Sequence, residues 1–537
     1  MTSRRLLLFS AFFIALIALS ETTPTHFDGK TWWEYVKVLA SDEMKGRETG
    51  SKELQAAEEY VVTQLKQDGL QPAGTNDYYQ PVKFITRQIV EKDSSLALVR
   101  DGKTEPLTLG DDAFFSTRID LAPSVEAPLV FVGWGLSVPE KNYDDLAGLD
   151  LKGKVAVLIN GSPSELPGAL ASHYQSSAER WKALHKAGAV GIIGIPNPAS
   201  MDIPWSRMSL NRTHVSMTLA DPKFNDMEGE KLNVTFNPAK ADQLFAGSGH
   251  SWQEIVDAAK QRNQLPRFPL TVSIKAKAML EKHEIESNNV VAKLPGSDPQ
   301  LNSEYAVLSA HIDHIGVGEP VNGDRIYNGA MDNASGSALL LDMAASLKTS
   351  QDKPKRSILF LFVTAEEKGL LGSRYFTAYP TVDRKSIVAD INTDMFLPIV
   401  PLKVLTVWGL TESDLGDDAR QVAESRGIQV QADPEPQRNV FIRSDQYNFI
   451  RHGIPALMMG IAPEPNSPEQ KQIFRDWLTH RYHAPSDDLD QPVDLSAAGQ
   501  YEDVVRALMM KVADQQQRPE WKSDSFFQRY AEHPAGY

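Results

Sequence analysis

Histidine and acidic side chains follow apolar runs at two places in the sequence. His311 comes directly after YAVLSA, with Asp313 two residues later. Glu366 and Glu367 end the run SILFLFVTA. Open α/β sheets place their sites at the carboxyl ends of strands, so we expect these residues at such an edge. Because side chains alternate along an extended backbone, one glutamate could bind a metal ion while its neighbour moves a proton.

Two further carboxylates occupy comparable positions. Asp332 lies in GAMDNASG, immediately before a helix that is expected to start near residue 333. It could cap that helix, or bridge two cations with its two oxygens. Gly329 and Gly336 leave room for an unusual turn and a close helix approach. Asp394 follows the apolar run within SIVADINTDM.

Histidines offer alternatives for the imidazole ligands. His483 lies beside Tyr482 in the loop sequence RYHAPSDD, with His480 three residues earlier as its rival. His314 competes in the same way with His311, which is preferred because it directly follows a strand. An imidazole bound to a metal normally donates its other nitrogen to a second acceptor, and Asp313 is close enough in sequence to accept.

The absence of cysteine narrows the chemistry of the site. It excludes disulfides, a cysteine nucleophile, iron–sulfur clusters and thiolate zinc sites. Imidazole and carboxylate ligands suit a pair of divalent ions, with zinc favoured and cobalt or manganese as possible substitutes. Such a pair would activate a water molecule, because zinc lowers the pKa of bound water from about 15.7 to about 7. A salt-bridge network would use the same residue types but would lack the glycine-framed turns.

Composition and the N-terminal segment limit the class of protein, its partners and its location. The 537 residues are 42% hydrophobic and carry a net charge of −15, which is typical of a soluble globular protein and makes nucleic acid an improbable partner. Residues 1–20 are predicted to be a secretory signal peptide, with two arginines before the apolar run 6–19. An uncleaved anchor is the alternative. We therefore expect an exported protein, periplasmic or secreted, without stable membrane insertion after cleavage.

The strand and helix patterns divide the mature chain into parts. Residues 21–87 and 281–514 are predicted to form one discontinuous α/β domain, a mixed and mostly parallel sheet sandwiched by helices. Residues 88–280 are expected to form a β-rich insert with flanking strands. Residues 515–537 form a polar tail whose aromatic residues are expected to pack on the surface. The oligomeric state has no signature in the sequence.

Four motifs carry a resemblance to a known family. In order, GAMDNASG, TAEEKGLLGS, NTDM and YHAPSDD resemble the co-catalytic dizinc exopeptidases of the bacterial leucyl aminopeptidase and vacuolar aminopeptidase Y type. The likeness covers about 290–510, and 30–85 as N-terminal helices of the same domain. The insert, with GWGL and KAGAVGIIGI, resembles a protease-associated domain. The resemblance implies the zinc exopeptidase fold and peptide substrates.

The resemblance also implies a role for each site residue. Two Zn²⁺ per chain would be bound, one by His311 and Asp394, the other by Glu367 and His483, with Asp332 bridging them. Asp313 would orient His311, and Glu366 would be the general acid and base. The remaining assignments are Tyr482 as a group that polarises the substrate carbonyl, and Ser444 and Asp445, within RSDQYNFIRHGIPA, as residues lining the substrate cleft.

Three functions follow from these features. The favoured one is an aminopeptidase that hydrolyses N-terminal residues from peptides, with the zinc-bridging hydroxide as nucleophile and Glu366 as base. The first alternative is a carboxypeptidase of the same fold, which needs arginines to bind a substrate carboxylate; Arg438, Arg443 and Arg451 are candidates. The second is a non-catalytic binding or scaffold protein whose insert recruits partners.

Overall fold

A computed structural model describes residues 27–533, so the predicted signal peptide at 1–20 lies outside the described residues. Two β-sheets with separate apolar cores organise this part of the chain. The first sheet belongs to what we call the main lobe, and the second to the insert. Among the described helices, none combines the length and the hydropathy needed to cross a membrane.

Within residues 27–533, ten strands form the sheet of the main lobe. Its four inner strands run parallel, and antiparallel strands flank them on both sides. The sheet is therefore mixed, as the sequence predicted. Across the sheet the order is Ser216–Leu219, Tyr79–Ile89, Leu280–Leu294, Ser357–Val363, Tyr305–His311, Ile387–Asn392, Ala456–Ala462, Val404–Trp408 and Gln429–Gln431, with Gln71–Pro72 paired to Leu280–Leu294.

Helices cover both faces of this sheet, which explains its continuously apolar strands. Leu308 and Phe360 point into the core on one side, whereas Val307 and Leu361 point into the core on the other. The helices on the first side are Lys30–Leu39, Lys52–Gln67, Ser335–Thr349, Asp414–Glu424, Pro468–His480 and Leu495–Asp514; those on the second are Leu371–Ala378 and Gln446–Arg451. The parallel strand ends are thus framed by helices.

The insert contains its own sheet, which has eight strands in the described part of the chain. Large aromatic side chains such as Trp134, Phe131 and Phe236 fill its core. In order the strands are Lys103–Leu107, Ser95–Arg100, Phe268–Lys277, Ser124–Phe131, Val155–Ile159, Gly191–Ile195, Leu232–Phe236 and Ala113–Phe115; the helices are Gly168–Gln175, Ser177–Lys186, Trp205–Met208, Asp242–Phe245 and Trp252–Lys260. Its identity as a protease-associated domain stays a prediction.

The boundary between the two lobes is not a simple linker. The long paired strands Tyr79–Ile89 and Leu280–Leu294 lead into and out of the insert. In addition, Ser216–Leu219 leaves the insert and pairs with Tyr79–Ile89 at the edge of the main sheet. The sequence-based division at residues 88 and 280 did not predict that a strand of the insert would join the main sheet. Two short hairpins, Gly316–Val321 with Asp324–Tyr327 and Ser137–Val138 with Tyr143–Asp144, complete the strands.

The C-terminal tail packs more deeply than the sequence suggested. Phe527 is 0% exposed and belongs to the core of the main lobe, and the indole of Trp521 donates to the carbonyl of Gly453 at 2.9 Å. Arg529, in the last helix Arg529–Glu532, forms an ion pair of 2.8 Å with Glu140 of the insert. The tail therefore contacts both lobes.

We expect Phe527→Ala to lower the free energy of unfolding by about 3–5 kcal/mol, because it removes a fully buried aromatic side chain and leaves a cavity. Chemical denaturation followed by tryptophan fluorescence measures this loss. The matched control is Ile473→Ala, at a partly exposed apolar side chain. A loss for Phe527→Ala no larger than that of the control would contradict the buried position of the tail.

Candidate metal centre

The site is built at the carboxyl edge of the parallel strands. His311 is the last residue of Tyr305–His311, and Asp394 follows the adjacent strand Ile387–Asn392. Glu366 and Glu367 follow Ser357–Val363, the neighbour on the other side. Neighbouring parallel strands end at the same edge, so these side chains come together. Two loops, one before helix Ser335–Thr349 and one after helix Pro468–His480, supply Asp332 and His483.

The five residues predicted to bind metal converge on one pocket. Nε2 of His311 lies 3.2 Å from Oδ1 of Asp332 and 3.3 Å from Oδ1 of Asp394. Nε2 of His483 lies 3.2 Å from Oδ2 of Asp332 and 3.3 Å from Oε2 of Glu367. Asp332 therefore turns one oxygen toward each imidazole, which is the arrangement required of a bridging carboxylate.

The donor atoms fit two cations. Imidazole and carboxylate atoms form two groups, each within 4.8 Å, with Asp332 common to both: His311, Asp332 and Asp394, and His314, Asp332 and Glu367. His483 also contacts the second group, through Asp332 and Glu367. Such nitrogen and oxygen ligands without sulfur suit zinc.

His314 was considered from sequence only as a substitute for His311, but both lie in the pocket. Nδ1 of His314 is 2.6 Å from Oε1 of Glu367, although this contact lacks the angles of a hydrogen bond. The other oxygen of Glu367 faces His483. His314 thus either supports Glu367 or adds a ligand. His480, the last residue of its helix, is exposed and belongs to neither group of donors.

Burial and neighbouring charges shift the pKa values of the two adjacent glutamates in opposite directions. Burial raises the pKa of Glu366 well above its usual range, and the carboxylates of Glu367 and Asp394 raise it further. Burial also acts to raise the pKa of Glu367, but His483 and His314 outweigh it and hold this pKa at about 2. Opposite shifts in adjacent carboxyl groups favour one that exchanges a proton and one that stays ionised as a ligand.

Asp313 contacts the cluster differently from the sequence-based prediction. Its backbone carbonyl, not its carboxylate, lies within hydrogen-bonding distance of Nδ1 of His311, at 3.0 Å. The nearest carboxylate oxygen is 3.9 Å from that nitrogen. The carboxylate instead accepts from the backbone N–H of Glu366 at 3.1 Å and from the hydroxyl of Thr49 at 3.0 Å. Asp313 thereby positions both the imidazole and the turn that carries Glu366.

Comparison with known proteins identifies this part of the chain. Residues 289–509 match the model of peptidase family M28. These residues form a peptidase family M28 domain. Among solved structures, an aminopeptidase from Aneurinibacillus sp. strain AM-1 superposes with a TM-score of 0.57 at 21% identity, covering 92% of this chain and 96% of that one. The two proteins share the fold.

Curated relatives of the M28 domain align over shorter stretches. The probable leucine aminopeptidase 1 of Trichophyton verrucosum (strain HKI 0517) is 31% identical over 161 residues, which are 29% of this chain and 39% of the relative. The probable leucine aminopeptidase 2 of Aspergillus oryzae (strain ATCC 42149 / RIB 40) is 33% identical over 295 residues, or 54% and 46%. The matches span between about a fifth and two fifths of the first curated relatives.

Arg47 lies buried behind the M28 site and was missed from sequence. All its hydrogen bonds go to backbone carbonyls: those of Leu39, of Ile312 at 2.9 Å, of Asn328 at 2.8 Å and of Gly329 at 3.0 Å. Ile312 follows His311, and Gly329 precedes the loop that carries Asp332. Arg47 therefore fixes two loops of the site and adds a positive charge near the site carboxylates.

The loop that carries Asp332 has two further supports. The carboxylate of Asp487 accepts the backbone N–H groups of Met331 and Asp332, both at 3.0 Å. Gly329 has φ +62°, and a Cβ at this position would lie 2.5 Å from the ring of His314. Only glycine fits there, which accounts for the first glycine of the GAMDNASG motif.

Ser444 and Asp445, which were predicted to line the substrate cleft, are both buried in the structure. Ser444 is 2% exposed, and its hydroxyl accepts from the side-chain amide of Asn392 at 2.7 Å. Asp445 is 0% exposed and accepts from the hydroxyl of Ser373. Burial raises the pKa of Asp445 to about 7. Both residues therefore lie in the packed interior next to the strand ends, where they have almost no solvent-facing surface.

Tyr482 stands beside the predicted metal ligands, with its ring centroid 4.0 Å from that of His483. Its hydroxyl accepts from Nη2 of Arg443 at 2.8 Å. Arg443 and Arg438 both form ion pairs of 2.7 Å with Asp202 of the insert. These two arginines were candidates for binding a substrate carboxylate, but in the structure they bind a carboxylate of the chain itself.

The insert encloses the M28 site at further points. The sequence did not predict these contacts, because each residue of the insert lies more than a hundred positions from the residue that it contacts. The contacts are those of Arg207 with the carbonyls of Leu478 and Thr479, of the His214 ring with Tyr327 at 5.8 Å between centroids, and of Arg118 with the carbonyl of Glu367 at 3.1 Å.

We expect Arg47→Lys to lower both the melting temperature and the zinc affinity. A lysine ammonium has three donors and cannot satisfy four carbonyls, and each buried acceptor left unpaired costs about 1–3 kcal/mol. Differential scanning fluorimetry and titration against a zinc chelator measure the two effects. Lys52→Met, at an exposed cation on the next helix, is the control. Wild-type values for Arg47→Lys would contradict its role in fixing the ligand loops.

Proposed function

We propose that this chain is a dizinc metallopeptidase that removes N-terminal residues from peptides. The observation that carries the proposal is the convergence of His311, Asp332, Glu367, Asp394 and His483 at one sheet edge, with Asp332 facing both imidazoles. The match to peptidase family M28 and the leucine aminopeptidase names of the relatives support it.

The two groups of donors are suited to hold one zinc ion each. His311 and Asp394 would hold the first, Glu367 and His483 the second, and Asp332 would contribute one oxygen to each. Zinc supplies Lewis acidity: it lowers the pKa of water from about 15.7 to about 7 and polarises a carbonyl. Cobalt or manganese would be accepted by the same nitrogen and oxygen ligands.

Glu366 is the proposed general base and acid. It accepts a proton from the attacking water and delivers it to the nitrogen of the leaving amine. Its raised pKa suits this exchange, because a catalytic group works best when its pKa approaches the working pH. The hydrogen bond from its backbone N–H to Asp313 holds the turn in place.

Tyr482 is the proposed donor to the substrate carbonyl. Since Arg443 donates to the phenolic oxygen, the hydroxyl proton of Tyr482 remains available for another acceptor. A donor aimed at the developing oxyanion stabilises the tetrahedral transition state more than the substrate. Asp202 fixes Arg443 and through it the tyrosine, so the insert takes part in positioning this group.

The excess of carboxylates around the pocket favours a substrate with a free α-ammonium group. This is the reason for preferring an aminopeptidase over a carboxypeptidase, whose candidate arginines Arg438 and Arg443 are paired with Asp202. A purely structural role for the chain has less support, since every expected ligand is present. Residues 1–20 support export to the periplasm or the medium.

The zinc-loaded protein is expected to release nitroaniline from leucyl-4-nitroanilide and to leave an N-acetylated peptide intact. The free amine is needed for binding near the carboxylates, and acetylation removes its charge. Absorbance at the nitroaniline band and chromatography of the peptide measure both reactions. Cleavage of the acetylated peptide alone, from its C-terminus, would contradict the proposal and favour the carboxypeptidase.

Two variants separate proton transfer from metal binding. Glu366→Gln is expected to lower kcat by about 10²–10⁴-fold while zinc content is kept, because only the base is lost. Asp332→Ala is expected to lose both activity and zinc, because both groups of donors share this residue. Elemental analysis and leucyl-anilide kinetics measure the difference, with exposed Glu424→Gln as the control. Full turnover by Glu366→Gln would refute its assignment as the base.

A further inference from the structure

An arginine of the insert lies directly over the turn that carries the general base. Nη2 of Arg118 donates to the backbone carbonyl of Glu367 at 3.1 Å. Nη1 lies 3.6 Å from the point that a Cβ on Gly369 would occupy. The guanidinium therefore covers residues 366–369, on the side of the pocket that faces the insert.

The backbone around Arg118 is held at the junction of the two lobes. Its neighbours Thr117 and Ile119 are buried, whereas Arg118 itself is exposed to solvent. The hydroxyl of Thr117 donates to Ser216 at 2.7 Å. Ser216 begins the strand that joins the main sheet. The backbone that carries Arg118 is thus held where the insert meets the main sheet.

Arg47 and Arg207 also donate to backbone carbonyls near the pocket, but both are buried, whereas Arg118 is exposed. Arg118 also differs from two cations that are paired with carboxylates. Lys368 is 3.3 Å from Glu48, and Arg443 is 2.7 Å from Asp202, so both are paired with carboxylates. Within residues 27–533, the hydrogen-bond partner of Arg118 is a neutral carbonyl, and no carboxylate forms an ion pair with it. The surrounding protein lowers its pKa while Glu366 and Glu367 raise it, and a guanidinium stays charged at neutral pH.

The chemistry of the reaction places a substrate group next to this cation. Glu366 must reach the nitrogen of the leaving amine. In a dipeptide the carbon of the terminal carboxylate is two bonds from that nitrogen, about 2.5 Å away by standard geometry. The carboxylate would therefore lie close to Glu366 and Glu367, whose charges repel it unless a cation is present.

We propose that Arg118 forms a subsite for the C-terminal carboxylate of dipeptides, so that this peptidase prefers dipeptides to longer peptides. The inference rests on the proposed aminopeptidase function and adds a substrate class to it. The planar guanidinium has donors beyond the one used by Glu367 and can bind a carboxylate with two parallel hydrogen bonds. A longer peptide presents a neutral amide at the same place and gains no such contact.

The test compares leucyl-glycine with leucyl-glycinamide, which differ in the terminal carboxylate. The measured quantity is the ratio of kcat/KM for the acid to kcat/KM for the amide. The wild-type enzyme is expected to favour the acid, and Arg118→Gln to lower the ratio by about tenfold or more, mainly through KM. Arg118→Lys is expected to fall between, because an ammonium keeps the charge without the paired donors.

The matched control is Arg267→Gln, at an exposed arginine of the insert that also donates to backbone carbonyls. Calorimetric binding of both dipeptides in the Glu366→Gln background gives a second measurement that is independent of turnover. A ratio that Arg118→Gln leaves at the wild-type value, in an enzyme that hydrolyses leucyl-anilide, would overturn the subsite alone. Failure of the zinc-loaded wild type to hydrolyse leucyl-anilide and both dipeptides would overturn the proposed function as well.

Discussion

Carboxylates that converge in a buried pocket repel one another, and the fold must oppose this repulsion before any metal ion can be bound in a defined geometry. Three features do so. Histidines lie within 3.3 Å of the acidic oxygens, backbone N–H groups donate to Asp487 and Asp313, and the buried guanidinium of Arg47 contributes a fixed positive charge. The arrangement depends on rigid elements, because a small displacement of a loop would change every distance in the cluster.

The sequence contained most of the predicted ligand set because several of these residues carry a local signature. His311 ends an apolar strand, Glu367 closely follows another, and Asp332 is framed by glycines that permit its turn. The finer contacts depend on tertiary geometry. Whether Asp313 uses its carbonyl or its carboxylate, and whether Ser444 is open or buried, follows from where the chain passes and not from residue type.

Other residues of the site carry no local signature at all. Arg47, Arg118 and Asp202 look in the sequence like ordinary charged residues of a soluble protein, since most such residues are on the surface. Long-range packing brings them to the pocket from three separate segments. The mixed sheet was predictable from alternating strands and helices, whereas the exchange of Ser216–Leu219 between lobes was not, because this four-residue strand lies in a loop-rich part of the chain.

That exchanged strand has a consequence for how the chain can be altered. Without it, Tyr79–Ile89 would become the rim of the main sheet, with a row of backbone donors and acceptors open to any extended polypeptide. Excising the insert between its two long connecting strands would therefore create a template for intermolecular strand addition. A trimmed version of this enzyme would need a charged or proline-bearing rim to stay in solution.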